Sequence, residues 1–311
     1  MKTISIVIPV YCEEENIKKF YDRIAAIKTP ESCEIIEYVF VDDGSTDSTF
    51  IVLKHLATLD GRLKVIRLSR NFGKETALTA GVKAAKGDAV ITMDGDLQHP
   101  PELISDMVQM WRAGKDVVIA VRETSTHSSF IRMCGARIFY WIMNKISAID
   151  MEANSTDFRL IDKKVAEAFS TMTEQARLYR GLINWLGFEK GFIRFEADKR
   201  HGGSVMYSYR KLIELALNSF TSFSLFPLKI AGILGILISV FSAVLTVIIF
   251  VSRFLYKSQY FSPLSIVVVS NTFLIGVVLI CMGLIGIYTG NIYKEVQNRP
   301  LFIVKETINM D

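Results

Sequence analysis

The sequence predicts an α/β domain on a mostly parallel sheet, followed by amphipathic juxtamembrane helices and two membrane-spanning helices. Three observations carry this. Short β-branched runs alternate with amphipathic stretches until the composition changes near residue 220. Clusters of polar residues fall where the strand candidates end. Between Pro227 and Lys294 the chain is almost wholly apolar. Alternating strands and helices argue for a parallel sheet, and ligands of open α/β sheets sit outside the carboxyl ends of the strands.

The strand candidates are 4–10, 38–41, 64–68, 89–92 and 117–121, and the helical patterns between them are 14–27, 47–59, 74–85 and 101–113. The apolar run at 4–10 is short and meets Glu13, Glu14 and Glu15, which fits a buried first strand and not a signal peptide. At 128–147, Phe130, Cys134, Ile138, Trp141 and Ile142 recur at helical spacing, with Arg132 and Arg137 largely elsewhere. That segment reads either as an interfacial helix or as an ordinary core-packing one. Residues 207–229 form an amphipathic juxtamembrane segment. Residues 230–251 and 264–293 carry no charge. Each is long enough to cross a hydrocarbon core of ~30 Å. The expected organisation is a cytosolic catalytic domain at 1–206, the juxtamembrane segment, a two-helix membrane region at 230–293 and a cytosolic tail at 294–311.

Bulk properties agree. Half of the 311 residues are hydrophobic, and mean hydropathy is +0.30. A net charge of +4 suits an anionic membrane surface and is no nucleic-acid signature. The cysteines (Cys12, Cys33, Cys134, Cys281) form neither a zinc motif nor a disulfide framework. No G-x-x-x-x-G-K-[ST] or G-x-G-x-x-G occurs, so kinase-type ATP chemistry and nicotinamide binding have no motif support.

The chemistry-bearing clusters sit at the strand ends. In "IPVYCEEEN", Pro9 fixes the backbone, Tyr11 can stack on a ring and Glu13 can accept hydrogen bonds. In "VDDGSTD", Asp42 and Asp43 can accept from a ligand's ring N–H or hydroxyls, while Asp47 suits a helix cap. In "SRNFGKE", Gly73 and Lys74 open a helix whose backbone N–H groups attract phosphate. In "MDGDLQHP", Asp94 and Asp96 stand one residue apart with Gln98 and His99 behind them. Two such carboxylates need a positive partner, either a lysine or a metal, unless they are merely solvated. Further on, "STDFRLID" offers Asp157 as a base or acceptor-positioning group. Arg159, Arg200 and His201 could meet phosphates; the plain alternative for Arg159 is a surface salt bridge.

In this order, "IPVYCEEEN", "VDDGSTD", "RNFGKE", "MDGDLQHPPE", "TDFRLID", "SFTSFSLFPLKI" and the two apolar spans resemble the polyprenyl-phosphate glycosyltransferases of glycosyltransferase family 2. The subgroup they are most similar to is the bactoprenol glucosyltransferases of O-antigen modification, related to dolichol-phosphate mannose synthase. The resemblance implies a GT-A fold and an inverting transfer of a hexose, glucose from UDP-glucose by preference, to undecaprenyl phosphate. It places Pro9, Tyr11, Glu13 and Asp42 around the base and Asp94 by the ribose. Asp96 would hold Mg²⁺ or Mn²⁺ on the diphosphate with Gln98 nearby. That metal would then be the missing positive partner of the aspartate pair. Arg122 and Arg200 would lie near phosphates, and Asp157 would take the place of the catalytic base. It also implies the bacterial inner membrane, both termini cytosolic, a homo-oligomer such as a tetramer, and a flippase as partner. One departure stands out: the family's hydroxyl and lysine near residue 200 are Val205 and Met206 here. Two other readings are weaker. A processive polysaccharide synthase normally carries Q-x-x-R-W and more spans, and "QMWRAG" at 109–114 has the wrong spacing. An inactive nucleotide-sugar-binding partner of a flippase would not need Asp94, Asp96 and Asp157.

Overall fold

The computed structural model describes residues 1–123, 152, 155–195 and 263–310, save 28, 31, 97 and 176, with scattered positions between 233 and 251. The first compact unit is Met1–Met206 with Arg299–Asp311; the second is Tyr207–Asn298. In the first unit the chain runs β1 (Lys2–Val10), α1 (Ile17–Ala25), β2 (Cys33–Asp42), α2 (Thr49–Leu59), β3 (Leu63–Leu68), α3 (Lys74–Ala84) and β4 (Ala89–Thr92). A 3₁₀ turn (Pro101–Leu103) leads into α4 (Ile104–Arg112) and β5 (Val117–Arg122). Then come β6 (Ser155–Asp162), α5 (Lys163–Thr171), α6 (Tyr179–Trp185) and β7 (Lys190–Phe195). After α7 (Pro263–Val296), β8 (Val304–Ile308) rejoins the sheet.

The eight strands are ordered β7-β5-β6-β4-β1-β2-β3-β8. The β4-β1-β2-β3 half is parallel throughout. Strand β6 runs antiparallel to both β4 and β5, which brings its amino end to the edge where β4 finishes. This is the mostly parallel sheet of a GT-A domain. Strand β1 is buried along most of its length because helices cover both faces, so it reads as a continuous apolar run. Helix α1 turns Ile17, Phe20 and Ile24 inward, and Phe20 meets Phe40 edge-on. Helix α3 packs so closely on the sheet that a Cβ at Gly81 would lie 2.2 Å from Val7 Cγ1.

Away from the strands' carboxyl ends, Glu37 ties the sheet together. It is fully buried and accepts from Ser5 Oγ (2.5 Å), Lys64 Nζ (2.5 Å) and the Lys86 N–H (2.6 Å). Burial pushes its pKa up, but the bonds from Lys64, Ser5 and Lys86 outweigh this and leave it below the ordinary 4.5. Replacing Glu37 with Gln should cost about 3 kcal/mol, because a half-buried ammonium then loses its counter-charge. The wild-type stabilisation is complete above the unfolded carboxyl's pKa and fades as pH falls through the lower folded one. Thermal unfolding of both proteins from pH 7 to 3 should therefore show the difference shrinking at the acid end.

Helix α7 spans 34 residues, and its stretch Phe273–Val296 is long and apolar enough to cross a membrane. Among the described residues it is the only such helix. The predicted first span, 230–251, lies mostly outside the described residues. Its described positions are helical, and Ile233, Leu237, Phe241, Val244 and Ile248 are exposed. The predicted segments 128–147 and 207–229, with Arg200, His201, Val205 and Met206, lie outside the described residues. The predicted tail at 294–311 is not all tail: Val304–Ile308 is the sheet's edge strand β8, antiparallel to β3.

Candidate active site

The carboxyl ends of β1 to β4 and the amino end of β6 converge on one polar cluster. Its first wall is the turn after β2. Asp42 is fully buried. Its Oδ1 accepts the Ser45 N–H (2.8 Å), and its Oδ2 lies 3.4 Å from Arg67 Nε. That Oδ2 accepts no hydrogen bond from the described residues and is itself buried, facing Arg67. Asp43 behaves otherwise. Its two oxygens accept the N–H groups of Phe72 (2.7 Å) and Gly73 (2.8 Å). The sequence reading made Asp43 a ligand contact; the structure makes it the pin of the loop before α3. Gly44 follows them at φ +70°, where a Cβ would stand 2.4 Å from the Arg70 carbonyl carbon. The two loops thus touch backbone to backbone.

The loop after β1 is stitched to the same turn. The Cys12 N–H donates to Ser45 Oγ (3.0 Å) and the Glu13 N–H to Thr49 Oγ1 (2.9 Å). Pro9 is half-buried in β1, while Tyr11 is exposed beside the turn and free to stack. The Glu13 carboxylate accepts from Asn16 Nδ2 (2.7 Å), a local bond at the start of α1. Asp47 accepts the Thr49 N–H (3.1 Å), as a capping residue does.

Asp94 finds its positive partner in the protein. Lys74 Nζ sits 2.7 Å from Asp94 Oδ1 and 2.6 Å from Asp157 Oδ2. Surrounding protein would lower the lysine's pKa, but the two carboxylates more than offset this and raise it. The sequence reading gave the aspartate pair a metal partner; for Asp94 the structure supplies Lys74 instead. Behind it, the Asp94 N–H donates to His99 Nδ1 (3.3 Å). His99 is buried, stacked on Phe158 and edge-on to Phe195. Burial keeps it neutral by lowering its pKa. So His99 is no metal ligand but the prop under the Asp94 backbone.

Asp96 has no ion-pair partner among the described residues. Its Oδ1 accepts the Gln98 N–H (3.1 Å), which places Gln98 beside it. No group of three or more His, Cys, Asp or Glu side chains converges among the described residues. That fits a magnesium-type ion, which takes one or two carboxylates and draws its other ligands from substrate phosphates and water.

Asp157 is held by two cations. It is 2 % exposed. Beyond Lys74, Arg180 grips it with Nε to Oδ1 at 2.8 Å and Nη2 to Oδ2 at 3.4 Å, while Nη1 holds the Ser155 carbonyl (2.9 Å). Thr92 Oγ1 donates to the Asp157 carbonyl (2.6 Å). Burial would raise the carboxyl's pKa, but Arg180 and Lys74 overwhelm it and hold the group far below the usual range. Next to Arg180, the Tyr179 N–H at the amino end of α6 donates to the Glu75 carboxylate (2.6 Å). Sequence reasoning passed over both Glu75 and Arg180, since only the fold brings α6 to the start of β6.

The predicted arginines separate. Arg122 is exposed at the end of β5. Arg159 is fully buried, bonded to the Thr156 carbonyl and Ser155 Oγ, with its pKa lowered by burial to about 10. It is neither a surface salt bridge nor exposed to a phosphate.

Residues 5–169 match the family described as glycosyl transferase family 2. The chain belongs to that family. It is a glycosyltransferase, and its relatives align from end to end. A glycosyltransferase of Synechocystis, sll0501, uncharacterised by its own name, is 38% identical over 97% of this chain and 95% of its own. The bactoprenol glucosyl transferase of Shigella phage SfII is 36% identical over 98% of each chain. The prophage bactoprenol glucosyl transferase homolog of Escherichia coli K12 is 35% identical over 97% and 98%.

Proposed function

We propose that this family 2 enzyme transfers a hexose from a nucleoside diphosphate sugar to a polyprenyl phosphate at a bacterial cytoplasmic membrane. The favoured donor is UDP-glucose and the favoured acceptor undecaprenyl phosphate, for use in modifying a cell-surface glycan. The observation that carries this is end-to-end similarity to bactoprenol glucosyl transferases, joined to a site whose two central carboxylates are already charge-paired.

Pro9, Glu13 and Asp42 line the base pocket, and Tyr11 stacks on the base. Asp96, with Gln98 beside it, would hold a divalent cation on the donor diphosphate. Such an ion neutralises the charge that collects on the leaving diphosphate. An acceptor phosphate oxygen attacks the anomeric carbon in line, the bond to the diphosphate oxygen breaks, and the electron pair leaves with the nucleoside diphosphate. The anomeric centre inverts. With a second pKa of about 6, the acceptor is mostly a dianion at pH 7. No proton need be removed. Asp157 is therefore a fixed negative charge facing the positive charge that develops on the sugar, not a general base.

Strand β8 supports a two-span arrangement. The chain leaves the first unit at Met206 and rejoins it at Arg299. A chain that departs from and returns to one side of a membrane crosses an even number of times. With α7 as one crossing, 230–251 supplies the other.

Membranes carrying the enzyme, given undecaprenyl phosphate and labelled UDP- and GDP-sugars, should yield lipid-linked glucose from UDP-glucose. Release of free sugar without lipid product counts against the acceptor. Asp96→Ala should abolish Mn²⁺ binding in the presence of UDP, read by electron paramagnetic resonance, together with turnover. Undiminished turnover in chelator sinks the metal assignment.

A further inference from the structure

The end of the chain returns to the nucleotide side of the site. Strand β8 pairs with β3 in the register Val65↔Ile308, Ile66↔Thr307, Arg67↔Glu306 and Leu68↔Val304. The ladder runs one residue further, because the Ser69 N–H donates to the Ile303 carbonyl (2.9 Å). Asn309 closes the other end: its Nδ2 donates to the carbonyls of Ala57 and Leu63, both at 3.0 Å. The tail thus fastens the end of α2, the whole of β3 and the first residue of the loop that leads to Lys74.

That strand and loop carry donor-side groups. Arg67 approaches Asp42 Oδ2, reaches the Ser45 carbonyl with Nη2 (3.4 Å) and lies over the Phe50 ring at 4.4 Å. Three and four residues past Ser69, the loop delivers the Phe72 and Gly73 N–H groups to Asp43. Gly44 touches the Arg70 backbone between them. Without β8, β3 would be a six-residue edge strand with a row of unpaired backbone groups.

We infer that the C-terminal strand is a positioning element of the donor site: by holding β3 and Ser69 from outside, β8 fixes Arg67 against Asp42 and the 69–73 loop against Asp43. This rests on the reading of that site as the nucleotide pocket. It also makes nucleotide affinity depend on the segment that emerges from α7. The strand contributes no atom to the reaction, so its effect should fall on donor binding.

Two full-length variants test it. In an antiparallel strand alternate N–H groups face the neighbour, so Glu306→Pro/Thr307→Pro removes at least one ladder donor. Asn309 has φ +55°, so Asn309→Gly keeps the backbone accessible and deletes only the two side-chain bonds. Binding of UDP and GDP is measured by calorimetry, and hydrogen exchange is followed in parallel. The double proline should weaken the nucleotide that wild type binds by about ten-fold or more, as an ångström-scale misplacement does. Asn309→Gly should weaken it by roughly three-fold for the loss of two modest hydrogen bonds. Exchange at Phe72 and Gly73 should quicken while α5 keeps its protection. Wild-type affinity in both variants overturns the inference. If the double proline loses protection throughout, Asn309→Gly decides, and unchanged affinity there overturns it equally. Wild type that binds neither nucleotide overturns the donor-site reading and this inference with it.

Discussion

Replacing Asp157 with asparagine should lower turnover by about 10²–10³-fold, the usual effect of deleting one preorganised electrostatic group. Lys74 and Arg180 then face a neutral amide, and Lys74 is left with Asp94 alone. The pH profile distinguishes a counter-charge from a base. A general base works best with a pKa near the operating pH, and Asp157 is held far below even the ordinary carboxylate range. Between pH 5 and 8 it is ionised throughout and contributes no inflection. The acid limb of kcat/KM should instead fall near pH 6, where the acceptor phosphate takes up its second proton. Below that, the rate should drop about ten-fold per pH unit as the dianion disappears. Asp157→Asn should keep this limb in place while the plateau sinks. A limb that vanishes in Asp157→Asn would restore the base. The same depressed pKa has a stability consequence. The carboxylate stabilises the fold fully above the unfolded value near 3.8 and loses that effect as pH falls through the folded one.

What the sequence disclosed follows the range of its signals. Buried parallel strands are short apolar runs, so β4 and most of β1, β3 and β5 are legible from pattern alone. Strand β2 starts earlier than its apolar core because Glu34 and Glu37 interrupt the pattern, and Glu37 is buried only by virtue of Lys64, Ser5 and Lys86. Strand β8, "VKETI", carries two charges in five residues and is largely exposed, so no periodicity marks it as sheet. Its place depends on a partner more than 230 residues away in the chain. The site divides the same way. Asp42, Asp94, Asp96 and Asp157 stand out as polar residues at strand ends. How each is partnered does not: Asp42 and Asp43 are adjacent and identical in type, yet one holds its own turn and faces Arg67 while the other pins the loop before α3. His99 offers no grouping in sequence, because its role is a single bond to the Asp94 backbone and a stack on Phe158.

Arg180→Gln should cost about 10²-fold in turnover, and the manner of the loss identifies its role. The guanidinium makes a two-pronged contact with Asp157 and a third bond to the Ser155 carbonyl, so it fixes both the charge and the direction of the carboxylate. Lysine cannot reproduce a planar fork. Arg180→Lys should therefore return the charge without the aim and recover only part of the rate. Donor affinity should stay within about two-fold in both variants, since Asp42 ends β2, Asp96 lies in the turn after β4 and neither contacts Arg180 in a described hydrogen bond or ion pair. Removing the guanidinium also removes the largest force holding the Asp157 pKa down. In Arg180→Gln that pKa rises against Lys74 alone, and the acid end of the profile should bend where wild type does not; Arg180→Lys should suppress the bend again. A residue that merely packed α6 against β6 would lower the unfolding temperature without altering the shape of the pH profile. Full activity in Arg180→Gln, or an unaltered profile with a uniformly lower rate and an unstable protein, removes Arg180 from the reaction and leaves Lys74 as the sole partner that keeps Asp157 charged.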